Sequence, residues 1–279
     1  MRYDECLPDA PELRSVVTAY WQVTGDGSNF PPSSVLPDGH VEIVLNLGDP
    51  VALAGPAYTG DQPARTVVGL LSHTISLKYR GRVNMFGIRL HPARGAGFLG
   101  HPATALVDKL APLANICPAL DNALAAHTTD TATLDRILLD QLPRALPSDP
   151  QIMKIVNRLA MSSASVAELA RELGISVRQL QRRFLAAVGI PPKRFIRVIR
   201  FARVWQVASM QPEESWSKLA AEHGFADQAH MVREFHAFGA APPTRVFTPD
   251  WYDATTMSRV SGPAEGVRSV QDSRIKPAV

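Results

Sequence analysis

The stretch Ser165-Val-Ala-Glu-Leu-Ala170-Arg-Glu-Leu-Gly174-Ile-Ser176-Val-Arg-Gln-Leu180-Gln-Arg-Arg-Phe184 decides how the C-terminal half of the chain folds. Ser165 and Glu168 have the spacing of a capping box, in which each side chain satisfies the other's backbone N–H at the start of a helix. Val166, Leu169, Ala170 and Leu173 recur at helical spacing and give that helix an apolar face. Gly174 supplies the left-handed backbone that a tight turn needs, and Ser176 caps a second helix. Leu180 and Phe184, four apart, turn one face of this second helix to the core, so Arg178, Gln181 and Arg182 face away from it. The pattern is that of a helix-turn-helix unit.

About fifty residues later the signals recur. Ser215 precedes Trp216, Leu219, Ala220 and Gly224, and the turn is one residue longer, with Asp227 as the next cap. Met231 and Phe235 take the places of Leu180 and Phe184, which leaves Gln228, Ala229, Val232 and Arg233 facing outward. Between the units the spacing predicts one helix from about Pro192 to Met210, roughly 27 Å long at 1.5 Å per residue. Its residues Phe195, Val198, Ile199, Ala202 and Trp205 share an apolar face, and Lys193, Arg197, Arg200 and Arg203 are expected on the opposite side.

Charge separates the halves. Residues 1–150 hold 11 Lys and Arg against 15 Asp and Glu, whereas residues 151–252 hold 14 against 8. From Leu173 to Pro212 there are eight basic residues and no acidic one. A basic half attached to an acidic one suits a polyanionic partner. The second helix of each unit fits a major groove about 12 Å wide, where arginine forks onto guanine and glutamine onto adenine. A spacer of this length presents two such helices to groove segments that recur every 34–36 Å or so on one face of the duplex. Lys193, Arg194, Arg197 and Arg200 are the expected phosphate contacts.

The quoted residues, with Gly189-Ile190-Pro191-Pro192 and the run Gly224-Phe225 to Asp227-Gln228, His230, Arg233 and Phe235, resemble the paired helix-turn-helix domain of AraC/XylS-family transcription regulators. The resemblance implies double-stranded promoter DNA as partner, with RNA polymerase as the machinery acted upon. It places base reading on Arg178, Gln181, Arg182, Gln228, Ala229, Val232 and Arg233. Ala229 and Val232 depart from the polar residues often found there, which implies contact with thymine methyls or a mainly anchoring role for the second helix. Where the family has glycine five residues after the second phenylalanine, this chain has Ala240, with Gly239 one earlier. Family members commonly carry an N-terminal cupin-like β-barrel that senses a ligand or makes a dimer contact.

The first half is read as β-rich. Val41, Ile43, Leu45 and Leu47 alternate with Glu42, Val44 and Asn46, the period of a half-buried strand. Ile75, Leu77 and Tyr79 alternate with Ser76, Lys78 and Arg80, and after Gly81 the run Val83 to Leu90 is expected to close a hairpin. Short strands with Gly and Pro punctuation predict a small barrel or sandwich. Helical pattern follows from about Ala103 to Leu146, and Pro143, Pro147 and Pro150 mark a boundary. The expected organisation is α+β and multidomain. It comprises a small β-barrel, cupin-like domain over 1–103, a helical connector over 104–149, an all-α double helix-turn-helix domain over 150–252 and a disordered tail over 253–279. The connector helices either form a dimer seam, giving a homodimer, or pack on the barrel.

Other chemistries are weaker. Cys6 and Cys117 are too few for a disulfide framework or a cysteine-built zinc site. His40 and Glu42 lie two apart on a strand, with His73, His91 and His101 elsewhere, but cupin metal sites use a converging set. No metal or other cofactor is therefore expected, and the competing reading is a metal-dependent cupin-type enzyme whose basic half localises it to nucleic acid. Trp21, Tyr20, Tyr58 and Arg89 are candidates to line a pocket for an unknown small-molecule effector. No apolar run reaches the roughly 20 residues of a membrane span. Asp4, Glu5, Asp9 and Glu12 near the start argue against a secretory signal, so a cytoplasmic regulator that is not an enzyme is expected, activator or repressor.

Overall fold

The computed structural model describes residues 1–28, 32–56, 58–125, 129–210 and 214–238. The tail over 253–279 and the segment holding Gly239 and Ala240 lie outside the described residues.

Among the described residues there are ten strands: β1 (Arg2–Cys6), β2 (Val17–Asp26), β3 (Ser33–Val35), β4 (Val41–Asn46), β5 (Val51–Ala54), β6 (Thr59–Asp61), β7 (Arg65–Val68), β8 (Ile75–Tyr79), β9 (Arg82–Leu90) and β10 (Leu110–Pro112). They pair antiparallel into a six-stranded sheet, order β1-β2-β9-β4-β7-β10, and a four-stranded sheet, order β3-β8-β5-β6. The β-rich N-terminal domain thus takes the form of two sheets facing each other.

The larger sheet is a middle layer. On β4, Val41, Ile43 and Leu45 join a core shared with the helices, while Val44 joins a second core of Trp21, Val23, Leu53, Ile75, Leu77 and Met85 enclosed by the smaller sheet. The strand expected to be half-buried is therefore buried on both faces. Its polar residue Glu42 is tolerated inside because Arg89, its cross-strand partner on β9, donates to it through Nε at 2.8 Å. Arg89 also approaches Glu5 at 3.2 Å, so a fully buried guanidinium is balanced by carboxylates.

The expected hairpin does not form. β8 pairs with β3 and β5, whereas β9 pairs with β2 and β4, so the chain changes sheets at Gly81. The Asp49 carboxylate accepts from the Arg82 N–H at 2.6 Å and the Gly81 carbonyl from the Gly27 N–H at 2.8 Å, which fixes that corner. Two alternating strands read alike whether they pair or face each other across a core.

The helices are α1 (Gly95–Phe98), α2 (Leu113–Ile116), α3 (Pro118–Leu124), α4 (Thr131–Gln141), α5 (Pro150–Met161), α6 (Val166–Glu172), α7 (Val177–Val188), α8 (Pro192–Met210), α9 (Trp216–Glu222) and α10 (Gln228–Ala237). Strand β10 falls inside the span expected to be helical; at three residues it is too short to show a period. The apolar face of α3 and α4 is spent on the sheet: Leu120, Leu124, Leu134 and Leu138 are buried in the shared core. Asp135 accepts from Tyr20 Oη at 2.7 Å and Ala10 N–H at 2.6 Å, and Arg65 forks onto Asp121 at 2.6 and 2.9 Å. These contacts pack α3 and α4 on the larger sheet. No described helix is long and apolar enough to cross a membrane.

Candidate nucleic-acid interface

Helices α6 and α7 form the first unit. Ser165 and Glu168 make a complete capping box, as do Ser176 and Gln179. Gly174 sits at φ +64°, and the N–H of Ile175 reaches back to the Ala170 carbonyl at 3.1 Å. Helices α9 and α10 repeat the scheme: Gly224 has φ +73°, and the Phe225 N–H donates to Ala220 at 2.9 Å. Ser215 caps α9, and Asp227 caps α10 by accepting from the His230 N–H. The extra turn residue, Ala226, gives its N–H to the His230 ring at 3.3 Å.

Both second helices are held from below. Leu180 and Phe184 are fully buried, as are Met231 and Phe235. Phe184 meets Phe195 of α8 with ring centres 5.4 Å apart, and Phe235 meets Phe201 edge-on at 4.8 Å. The opposite faces are open: Arg178, Gln181, Arg182, Gln228, Ala229 and Arg233 are exposed, and Val232 is half-buried. Gln228 Oε1 accepts from Ser217 Oγ at 3.1 Å, which orients its amide.

The basic residues of α8 divide. Phe195, Val198, Ile199, Ala202 and Trp205 are buried as the apolar face, and Lys193 and Arg194 are exposed. Arg197 instead forks onto Glu234 of α10 at 2.7 and 3.0 Å and lies 5.7 Å from the Phe238 ring centre. Arg200 covers the Phe225 ring at 5.3 Å, and Arg203 donates to the carbonyls of Leu159 and Ser162. Basic spacing alone did not separate these from free cations, because the acidic and aromatic partners lie more than 20 residues away in sequence. In the first unit Arg183 forks onto Asp149, the cap of α5, with both contacts at 2.7 Å, and holds that carboxyl below its ordinary range.

The two halves are packed as one. A Cβ on Gly39, before β4, would lie 2.8 Å from the Phe195 ring and 3.1 Å from Ile199, and one on Gly189 would lie 2.6 Å from the Ala103 carbonyl. The Thr74 N–H, before β8, donates to the carbonyl of Phe238 at the end of α10 at 2.8 Å. His91, at the end of β9, takes the Ala93 N–H on Nδ1 and therefore donates from Nε2 to Asn157 of α5 at 2.9 Å. Burial pushes the His91 pKa down to about 4.

The other histidines are dispersed. His40 lies 3.3 Å from Asp38, His73 bonds Ser72, and His101 bonds the Ile116 carbonyl. Among the described residues no group of three or more His, Cys, Asp or Glu side chains could hold a metal ion. Of the four pocket candidates, Trp21 lines a cavity between the sheets. Tyr20 bonds Asp135, Tyr58 bonds the Asp61 carbonyl, and Arg89 is paired with Glu42 and Glu5.

Residues 169–248 match a helix-turn-helix domain family, and residues 5–112 match a domain of unknown function, DUF6597. No curated protein matches the chain. Solved structures similar to it include ToxT from Vibrio cholerae, 12% identical with a TM-score of 0.47 over 82% of this chain and 98% of that one. Wild-type ToxT bound to an unsaturated fatty acid is 13% identical, with a TM-score of 0.47 over 85% of this chain and 96% of that one. The AraC-like transcriptional activator CuxR is 12% identical, with a TM-score of 0.29 over 74% of this chain and 86% of that one.

Proposed function

We propose, from the match of residues 169–248 to an AraC-type helix-turn-helix family, that this chain is a sequence-specific DNA-binding transcription regulator whose N-terminal domain responds to a small-molecule effector. The observation that carries the DNA half is the pair of reading helices, each with its apolar face buried and its polar face open, joined rigidly by α8. Arg178, Gln181 and Arg182 on α7, and Gln228, Ala229, Val232 and Arg233 on α10, read bases in successive major-groove segments of promoter DNA. Lys193 and Arg194 are the phosphate contacts. Arg197 and Arg200 reach phosphate only by giving up Glu234 and Phe225, so they serve first to set the second unit in place. RNA polymerase is the proposed machinery acted upon. An effector acts through differential affinity for DNA-competent and incompetent arrangements of the two packed halves.

Selection of bound sequences from a random duplex pool by the full-length protein tests this reading. The expected result is a motif of two half-sites about one helical turn, roughly 10–10.5 base pairs, apart. No enrichment over input would overturn it.

A further inference from the structure

The cavity between the two sheets has the features of a binding site. Val44 and Glu42 of β4, Trp21 of β2, Ile75 and Leu77 of β8, and Gln62 are among its walls. Trp21 is admitted by its cross-strand partner Gly87, where a Cβ would lie 1.9 Å from the indole. The walls are mostly apolar, and two polar groups stand among them. Glu42 already receives Trp21 Nε1 at 3.2 Å and Arg89 Nε at 2.8 Å on Oε1. Gln62 is 8% exposed, and its side-chain oxygen is buried with no hydrogen-bond partner. An amide oxygen left unsatisfied in a mostly apolar site is costly, and a donor brought to it is correspondingly well rewarded.

We propose that this cavity is an effector site for compact, uncharged ligands that join an apolar body to one O–H or N–H donor, and that occupancy is felt at the second helix-turn-helix unit. The proposal rests on the regulator reading for its consequence but not for its binding chemistry. Gln62 Oε1 accepts the ligand's donor, and the walls take its apolar body. A carboxylate ligand is disfavoured, because it would lie beside the Glu42 carboxylate and gain nothing from the unsatisfied acceptor oxygen of Gln62. Burial that raises the Glu42 pKa disfavours a further negative charge beside it in the same way.

Size supplies the coupling. The centre of a water-sized sphere has about 30 Å³ in which to move, room for little more than water. A ligand of one ring therefore enters by parting the walls. One wall, β8, begins at Ile75, directly after Thr74, whose N–H holds the Phe238 carbonyl at the end of α10. Another, β4, follows Gly39, which is seated against Phe195 and Ile199 of α8. Displacement of β8 thus bears directly on α10 of the second unit, and displacement of β4 bears on α8, which packs against both units.

The test uses the full-length protein without DNA and four probes: phenol, cyclohexanol, anisole and benzoate. Calorimetric titration should find phenol or cyclohexanol bound at least about tenfold more tightly than anisole, which lacks the donor, and benzoate not bound. Gln62→Leu should erase the difference between phenol and anisole. The comparison on the unaltered protein decides the matter should that variant fail to fold. Amide hydrogen exchange should become faster at Thr74 when the donor ligand is bound. Binding of neither phenol nor cyclohexanol, equal binding of anisole, or binding of benzoate overturns the ligand class. Bound donor ligand with unchanged exchange at Thr74 overturns the coupling. Donor binding by a protein that selects no DNA sequence would instead sink the regulator reading and leave the site standing.

Discussion

Arg183 in the first helix-turn-helix unit and Glu234 in the second occupy the same place, one residue before the core phenylalanine, and carry opposite charges. Each makes a bidentate ion pair with the scaffold helix that precedes its unit, Arg183 with the cap of α5 and Glu234 with Arg197 of α8. The fold thus asks that position for a tether and is indifferent to its sign. The exposed faces differ more. The first offers Arg178, Gln181 and Arg182 under two capping boxes; the second offers Gln228, Ala229, Val232 and Arg233 with single caps. The units also meet the N-terminal domain differently. The N-terminal domain approaches the first through His91, which bonds Asn157 of the preceding α5, and through Ala103 beside Gly189, and the second through Thr74, which bonds Phe238 at the end of α10. One scaffold therefore carries a strongly polar exposed face and a more apolar one, each with its own connection to the sheets.

The equivalence of the units is broken most directly in their cores. Phe184→Ala and Phe235→Ala should each cost about 3–5 kcal/mol, because both rings are fully buried among aromatic partners. Chemical denaturation checks this, and a near-neutral result for either would show that its unit repacks.

Next in size is the separate connection of the first unit. The unfolded chain protonates His91 near its ordinary pKa of 6.5, while the folded form resists until about 4. The unfolded state therefore binds more protons in that window, and this site's contribution falls as pH drops from 6.5 towards 4, by on the order of 3 kcal/mol in full. His91→Gln should flatten the dependence in denaturation curves taken across that range. A slope that survives the substitution would assign it to other groups.

On DNA, Arg182→Ala and Arg233→Ala should each remove about 1–3 kcal/mol of discrimination between selected and random duplex. If only Arg182→Ala does so, the second helix anchors rather than reads.

The tethers give the smallest effect and the sharpest contrast. Arg183→Gln and Glu234→Gln should each cost about 1 kcal/mol or less, since three of the four charged partners are a quarter or more exposed. Their effects on random DNA should part. Glu234→Gln releases Arg197 and removes an anion, so non-specific affinity should rise and the salt slope steepen by about one unit, while Arg183→Gln should do neither. Equal slopes for the two variants would show that Arg197 never reaches phosphate.

The sequence by itself determined the elements governed by neighbours a few residues away. Ser165 with Glu168, Ser176, Gly174 and Gly224 act through local backbone hydrogen bonds and local φ angles, so both units were legible, as was α8 from Pro192 to Met210. The apolar spacing also told which faces of α7 and α10 turn outward. Tertiary structure alone decided what depends on residues distant in sequence. Alternation in β8 and β9 could not say that the strands belong to different sheets, because period two is satisfied by pairing and by facing alike. Glu42 looked like the solvent side of a strand until Arg89 and the second sheet covered it. The pairing of Arg197 with Glu234, 37 residues away, was likewise outside what spacing along α8 could say. A helix is specified by hydrogen bonds that span four residues, whereas a buried charge is specified by whichever partner the fold brings to it.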